Sequence, residues 1–310
     1  MIDLALVVAR LLHYAAVTTL AGVAFFPLYA YAAAEPKQLF SRRQAVLLSA
    51  AVAALVSGLL WFACSVANMS GTWASIADQE VLWTVLNETT FGSVWMARML
   101  LAVVVLGVTA VPLFRTARAG RHLVMAVLAA MFLASLAGTG HAQIEEGWNG
   151  LVHVGSDAAH LLAAGAWLGG LLPLSFILLD YSRSDSKPIV DVDRILLRFS
   201  SMGYFAVATL IASGLVNCCF LVGSVSSLLT TPYGQILLGK IALFAAMLAL
   251  AAANRFWLVP RMIDTRAGRS GEQAVWLGRL RNHVLGEQFL GLMILLAVSV
   301  LGAMRPAIGQ

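Results

Sequence analysis

Eight stretches of this chain are apolar enough, and long enough, to cross a lipid bilayer, and this constrains the fold more than any other feature. They run roughly over residues 4–32, 45–67, 92–114, 122–140, 155–179, 198–222, 234–257 and 282–303. Inside hydrocarbon a backbone must satisfy its own hydrogen bonds, and about 20 helical residues cover a core ~30 Å thick. With 60% of its 310 residues hydrophobic and 11% charged, the chain reads as an all-α polytopic membrane protein. The connections leave no room for a separate soluble domain. No phosphate loop, nucleophile triad, CxxC clamp or dinucleotide fingerprint is present, which disfavours soluble-type catalysis.

The net charge of +5 does not mark a nucleic-acid surface, because the cations sort by side of the membrane. Segments 35–43, 115–121, 183–198 and 255–281 hold 16 of the 20 Lys and Arg residues. Loops 68–90, 141–154 and 223–233 hold none, but carry Asp78, Glu80, Glu88, Glu145 and Glu146. By the positive-inside rule the first set faces the cytoplasm and both termini face outward. Trp61, Trp73, Trp83, Trp95 and Trp148 then suit an outer aromatic belt. The small residues of AYAAAEP (30–36) imitate a signal-peptide cleavage site, but the basic leader is missing and the apolar run is too long. That run therefore reads as a first transmembrane helix. Cys64, Cys218 and Cys219 read as buried, inert thiols.

The two halves echo each other. TTFGSVWMARML (89–100) and TTPYGQILLGKIAL (230–243) place Arg98 and Lys240 at equal spacing from Gly92 and Gly234. His13 precedes Gly22 by the same nine residues that separate His160 from Gly169. Ser57-Gly58-Leu59 matches Ser213-Gly214-Leu215, and Ser135 with Gly138 matches Ser299 with Gly302. The expectation is two parallel four-helix repeats, 1–140 and 141–310, forming one membrane domain about a pseudo-two-fold axis along the membrane normal. His13, Arg98, His160 and Lys240 then share one layer, on the order of 10 to 14 Å below the outer helix starts.

Ionisable groups inside a membrane are expensive to retain and point to function. His153, Asp157 and His160 share a face of the fifth span, where Asp157 can orient His160 or join it on a metal. Alternatively Asp157 is a helix-start charge and His153 a wet loop residue. Met96, Met99, Met69 and His141 lie towards the outer ends of their spans, where thioether and imidazole suit copper, or simple packing and solvation. Arg98 and Lys240 would repel a cation unless paired with Asp157. They either snorkel to headgroups or hold the propionates of a haem ligated by His13 and His160. His283 and Glu287, with His122, sit at the cytoplasmic starts of the last and fourth spans, as an exit site or as interfacial residues.

The stretches HLLAAGAWLGGLLPL (160–174), RFSSMGYFAVATLIASGLVN (198–217) and TPYGQILLGKIALFAAMLALAAANRFWLVPRM (231–262) resemble the copper-resistance D family of bacterial inner-membrane proteins. That resemblance implies copper movement between periplasm and cytoplasm alongside a periplasmic CopC-type copper-binding partner. His13 with Arg98, and His160 with Lys240, also resemble the His and basic-residue pair of HemJ-type haem-b proteins, which implies a membrane redox protein instead. The leading expectation is a copper transporter or permease rather than an enzyme. Periplasmic capture falls to His141, His153, Met69, Met96 and Met99, and His13, Asp157 and His160 form the inner layer. The haem alternative predicts a Soret band that disappears in His160→Ala, and a colourless protein purified from haem-replete cells would reject it.

Overall fold

The computed structural model describes residues 2–31, 35–111, 119–139, 147–183, 191–265 and 270–309, and all regular structure among them is helical. The helices are α1 (Ile2–Tyr29), α2 (Lys37–Ser70), α3 (Gln79–Glu88), α4 (Thr90–Ala110), α5 (Ala119–Ala134) and α6 (Gly147–Ala164). There follow α7 (Leu171–Arg183), α8 (Val192–Leu221), α9 (Val225–Thr230), α10 (Pro232–Ala253), α11 (Val259–Asp264) and α12 (Ser270–Leu301). Eight helical runs are long and apolar enough to span a membrane. Two of these are compound: α6 continues into α7, and α10 into α11, each through a π-helical turn, Gly165–Gly169 and Asn254–Leu258.

Both π turns have a local cause. Proline offers no backbone N–H and crowds the preceding turn, and Pro173 and Pro260 follow the two turns closely. The helix absorbs each by widening rather than breaking, a common way to carry a kink. The short helices α3 and α9 lead into α4 and α10 through matching caps. Thr89 Oγ1 accepts from Gly92 N at 2.9 Å, and Thr231 Oγ1 from Gly234 N at 3.0 Å. Any side chain at Gly92 or Gly234 would overlap carbonyl oxygens of the preceding helix, so glycine is required there.

Two apolar clusters form the core, and α1 contributes to both. Leu6, Val17, Leu20 and Val23 pack with α2, α4 and α5, whereas Phe26 and Ala30 pack with α7, α8, α11 and α12. Where α1 crosses the first π turn the backbones touch: a Cβ on Gly22 would overlap the Gly169 backbone, and one on Gly169 would overlap the Thr18 carbonyl. Small residues permit this approach where lipid supplies no hydrophobic drive between helices. Tyr29 adds a bond from its hydroxyl to the Ala166 carbonyl at 3.1 Å.

The structure corrects several sequence expectations. Helix α12 begins at Ser270 rather than near 282, so Glu287 lies midway along it, and buried, instead of at its start. Helix α6 begins at Gly147, which makes His153 a buried helical residue and not a wet loop. Trp61 is buried and leaves the proposed aromatic belt, whereas Trp73, Trp83 and Trp148 are exposed. Cys64 is buried, but Cys219 is exposed, and none of the three thiols is bridged.

Replacing Gly22 with alanine is expected to cost about 1–3 kcal/mol, the range for overpacking, seen as a lower melting temperature in detergent. Gly107→Ala is the control: its Cβ would meet nothing within 4 Å, so helix propensity should make it neutral to stabilising by up to about 1 kcal/mol.

Candidate functional site

In the first half, His13 on α1 is fully buried. Its Nδ1 lies 3.0 Å from the Ala54 carbonyl and 3.1 Å from Ser57 Oγ on α2. Ser57 donates its own proton to the Ala53 carbonyl at 2.6 Å, so the hydroxyl can only accept from the ring. Arg98 Nη2 sits 2.8 Å from His13 Nε2. A guanidinium only donates, which puts the ring proton on Nδ1 and commits the Nε2 lone pair to Arg98. Arg98 completes its bonding with Ser135 Oγ at 2.6 Å and the Phe132 carbonyl at 3.3 Å, and lies over the Phe132 ring. It is 1% exposed and so does not snorkel to the headgroups.

The second half repeats part of this arrangement with different electrostatics. His160 on α6 places Nδ1 3.0 Å from Ser213 Oγ on α8, with the Leu210 carbonyl also in reach. Ser213 in turn donates to the Thr209 carbonyl at 2.5 Å. Each serine is followed by a glycine against the ring: a Cβ on Gly58 would lie 3.3 Å from His13 Cε1, and one on Gly214 3.7 Å from His160 Cε1. The Nε2 atoms differ in their surroundings. No hydrogen bond among the described residues engages that of His160, which is half-buried. Asp157, one turn earlier, accepts from Asn217 Nδ2 at 3.2 Å and lies in electrostatic reach of both Lys240 and His153. His153 stacks on Phe220, ring centroids 4.6 Å apart.

The position of Asp157, three residues before its histidine, is taken in the first half by Arg10. Arg10 is buried, bonds the Tyr14 hydroxyl and the Gly302 carbonyl, and lies over the Trp61 ring. Sequence reasoning missed it, although the spacing from His13 would have found it once the two halves were matched. The first layer therefore holds Arg10, His13 and Arg98, and the second Asp157, His160 and Lys240.

The other candidates divide. Met99 is buried and its thioether faces Gly58 beside His13; a Cβ there would lie 3.0 Å from Sδ. Met96 and Met69 are 41% and 56% exposed, and His141 falls outside the described residues. Among the described residues no three His, Cys, Asp or Glu side chains gather as a metal cage. His122 does not join His283: its Nδ1 faces Arg43 Nη2 at 3.2 Å. Arg43 also clasps both Glu35 oxygens at 2.9 and 3.0 Å. Burial pushes the Glu35 carboxyl up, against the pull of Arg43.

A haem shared by His13 and His160 does not fit this arrangement. The His13 atom that iron would take is bonded to Arg98, and the guanidinium that would meet a propionate is spent on His13, Ser135 and Phe132. Each histidine is also oriented into its own half, towards α2 and α4 or towards α8.

The family description "Copper resistance protein D-like, N-terminal domain" matches residues 1–151, and "Copper resistance protein D" matches residues 193–301. The chain is 32% identical to the inner membrane protein YebZ of Escherichia coli (strain K12), over 96% of this chain and 97% of that one. It is 30% identical to copper resistance protein D of Pseudomonas syringae pv. tomato, over 97% and 96%. It is 32% identical to the copper transport protein CutJ of Bacillus subtilis (strain 168), over 79% of this chain and 45% of that one. No solved structure matches.

The asymmetry of the two imidazoles can be read chemically. Diethyl pyrocarbonate attacks an unprotonated ring nitrogen, so mass spectrometry of the treated protein should find His160 modified and His13 protected. In Arg98→Ala, His13 should become reactive as well.

Proposed function

The chain belongs to the copper resistance protein D family, and from that premise we propose that it moves copper across the bacterial inner membrane through the Asp157–His160 layer of its second half. The charge pattern carries this reading. Two unit charges about 4 Å apart interact by roughly 4 kcal/mol at an effective dielectric of 20, so the layer of Arg10 and Arg98 repels a copper ion. In the second layer Asp157 offsets Lys240, and the His160 ring is held in the tautomer that leaves a lone pair on Nε2. An imidazole and a carboxylate one turn apart offer two donors. This suits a cargo that must leave again better than a closed cage would.

Outside this layer, His153, Met96, Met69 and His141 receive copper at the periplasmic face, with a CopC-type protein as donor or acceptor. Met99 stays with His13 in the first half, whose polar layer braces the bundle and conducts nothing. The halves, 1–140 and 141–310, are related by a pseudo-two-fold axis along the membrane normal, with both termini periplasmic. The shared serine, glycine and histidine contacts and the sidedness of Lys and Arg support this arrangement.

Copper bound per purified protein, and copper flux into proteoliposomes, test the proposal. His160→Ala and Asp157→Asn should each lower both by about tenfold or more, the scale seen when the surroundings of a metal site are disturbed. His13→Ala should lower the melting temperature and leave copper binding largely intact. Wild-type protein with neither binding nor flux above empty liposomes, or undiminished flux in His160→Ala, overturns it.

A further inference from the structure

The two π turns converge on one carboxyl group. Glu287 lies on α12 about 21 to 26 Å from either helix end at 1.5 Å per residue, and it is 2% exposed. Asn254, which opens the second π turn, donates Nδ2–H to Glu287 Oε1 at 2.6 Å. Trp167, central in the first π turn, lies within hydrogen-bonding reach of the same carboxyl. Leu258, Met262, Leu280 and Val284 belong to the surrounding apolar cluster. Turns of this kind recur at functional sites, and an intramembrane carboxyl is retained at a cost.

We propose that Glu287 is a proton-binding site buried within the helix bundle, which takes up and releases a proton as the protein works. The donor set selects the ligand. Asn254 and Trp167 aim N–H groups at the carboxyl, which suits a carboxylate or a proton and disfavours a metal ion. Asn254 Oδ1 is buried with no hydrogen-bond partner among the described residues. With its amide reversed, Asn254 would accept from a protonated Glu287 as readily as it now donates to a carboxyl oxygen. Both charge states of the carboxyl are thereby provided for.

When the proton leaves, the Oε–H bond breaks, its electron pair stays on the carboxylate under Asn254 Nδ2–H, and the proton passes to water or to His283. That imidazole is one turn away on the same face, and its Nδ1 is buried without a hydrogen-bond partner among the described residues. Arg281 and Glu272 of α12 and Asp264 of α11 lie nearer the ends of their helices, and other charged groups of the helices packed around Glu287 are engaged elsewhere. Arg261 lies over Trp276 as does Arg279 of α12, Arg10 is held at Gly302, Asp180 pairs with Arg42, and Lys240 is in reach of Asp157. Arg255 follows Asn254 in the chain, and the interactions that reach Glu287 are those of Asn254 and Trp167. A link between this proton and copper rests on the function proposed above.

Infrared difference spectra of the full-length protein in lipid, titrated with acid and base and then with copper, test the proposal. A protonated-carboxyl C=O band should appear and vanish reversibly with pH, be lost in Glu287→Gln and shift in Asn254→Ala. Glu287→Asp, which keeps a carboxyl, should retain a displaced band and shows whether loss in the glutamine variant reflects the group or the fold. Copper addition should change the wild-type band if proton and copper movement are coupled. A band that persists in Glu287→Gln, or no titrating band at all, overturns the proton site. Absence of bound copper in the same sample would overturn the copper reading alone, and bound copper with an unchanged band would overturn the coupling alone.

Discussion

The backbone contact between Gly22 and Gly169 is the constraint on which the rest of the bundle depends. In lipid, helices gain little from burying apolar surface against each other, so close packing and internal polar bonds must hold them together. Where α1 lies against the first π turn, neither position tolerates a Cβ. Through Ala24 α1 belongs to the first apolar cluster, and from Phe26 onward to the second. His13 and His160 each lie nine residues before their glycine, so the crossing also sets the depth of both polar layers.

One geometry thus supports two electrostatic environments. The imidazole, the serine beneath it and the glycine against its edge recur in both halves, and the residue three positions before the histidine changes from arginine to aspartate. A buried guanidinium in hydrocarbon is tolerable only when its donors are used. Arg98 meets that demand with an imidazole, a hydroxyl, a carbonyl and a ring face. The bonds that make the first layer stable are the same ones that withhold its lone pair.

The fold class and the eight spans were legible in the sequence because hydrophobic length is a direct readout of bilayer thickness. The starts of α6 and α12 were not, since both helices continue past the apolar stretch into segments rich in glycine or charge, such as those carrying Gly147, Gly150, Arg279 and Arg281. The position assigned to Glu287, at the start of its helix, was wrong for that reason. The pairing of His13 with Arg98, and the nearness of Lys240 to His160, followed from spacing alone. Arg10 was overlooked because only its bonds to Tyr14, Trp61 and Gly302 distinguish it from an interfacial cation near a helix end. The π turns left only Pro173 and Pro260 as a trace, and a proline does not say how a helix will absorb it.

The contact between Arg10 and Gly302 has a mechanical meaning. The guanidinium sits on a carbonyl at the C-terminal end of α12, where a cation also meets the negative end of the helix dipole. The first and last spans are thereby clasped side by side. A load applied at either terminus passes directly into the other end of the polypeptide rather than through the loops between spans.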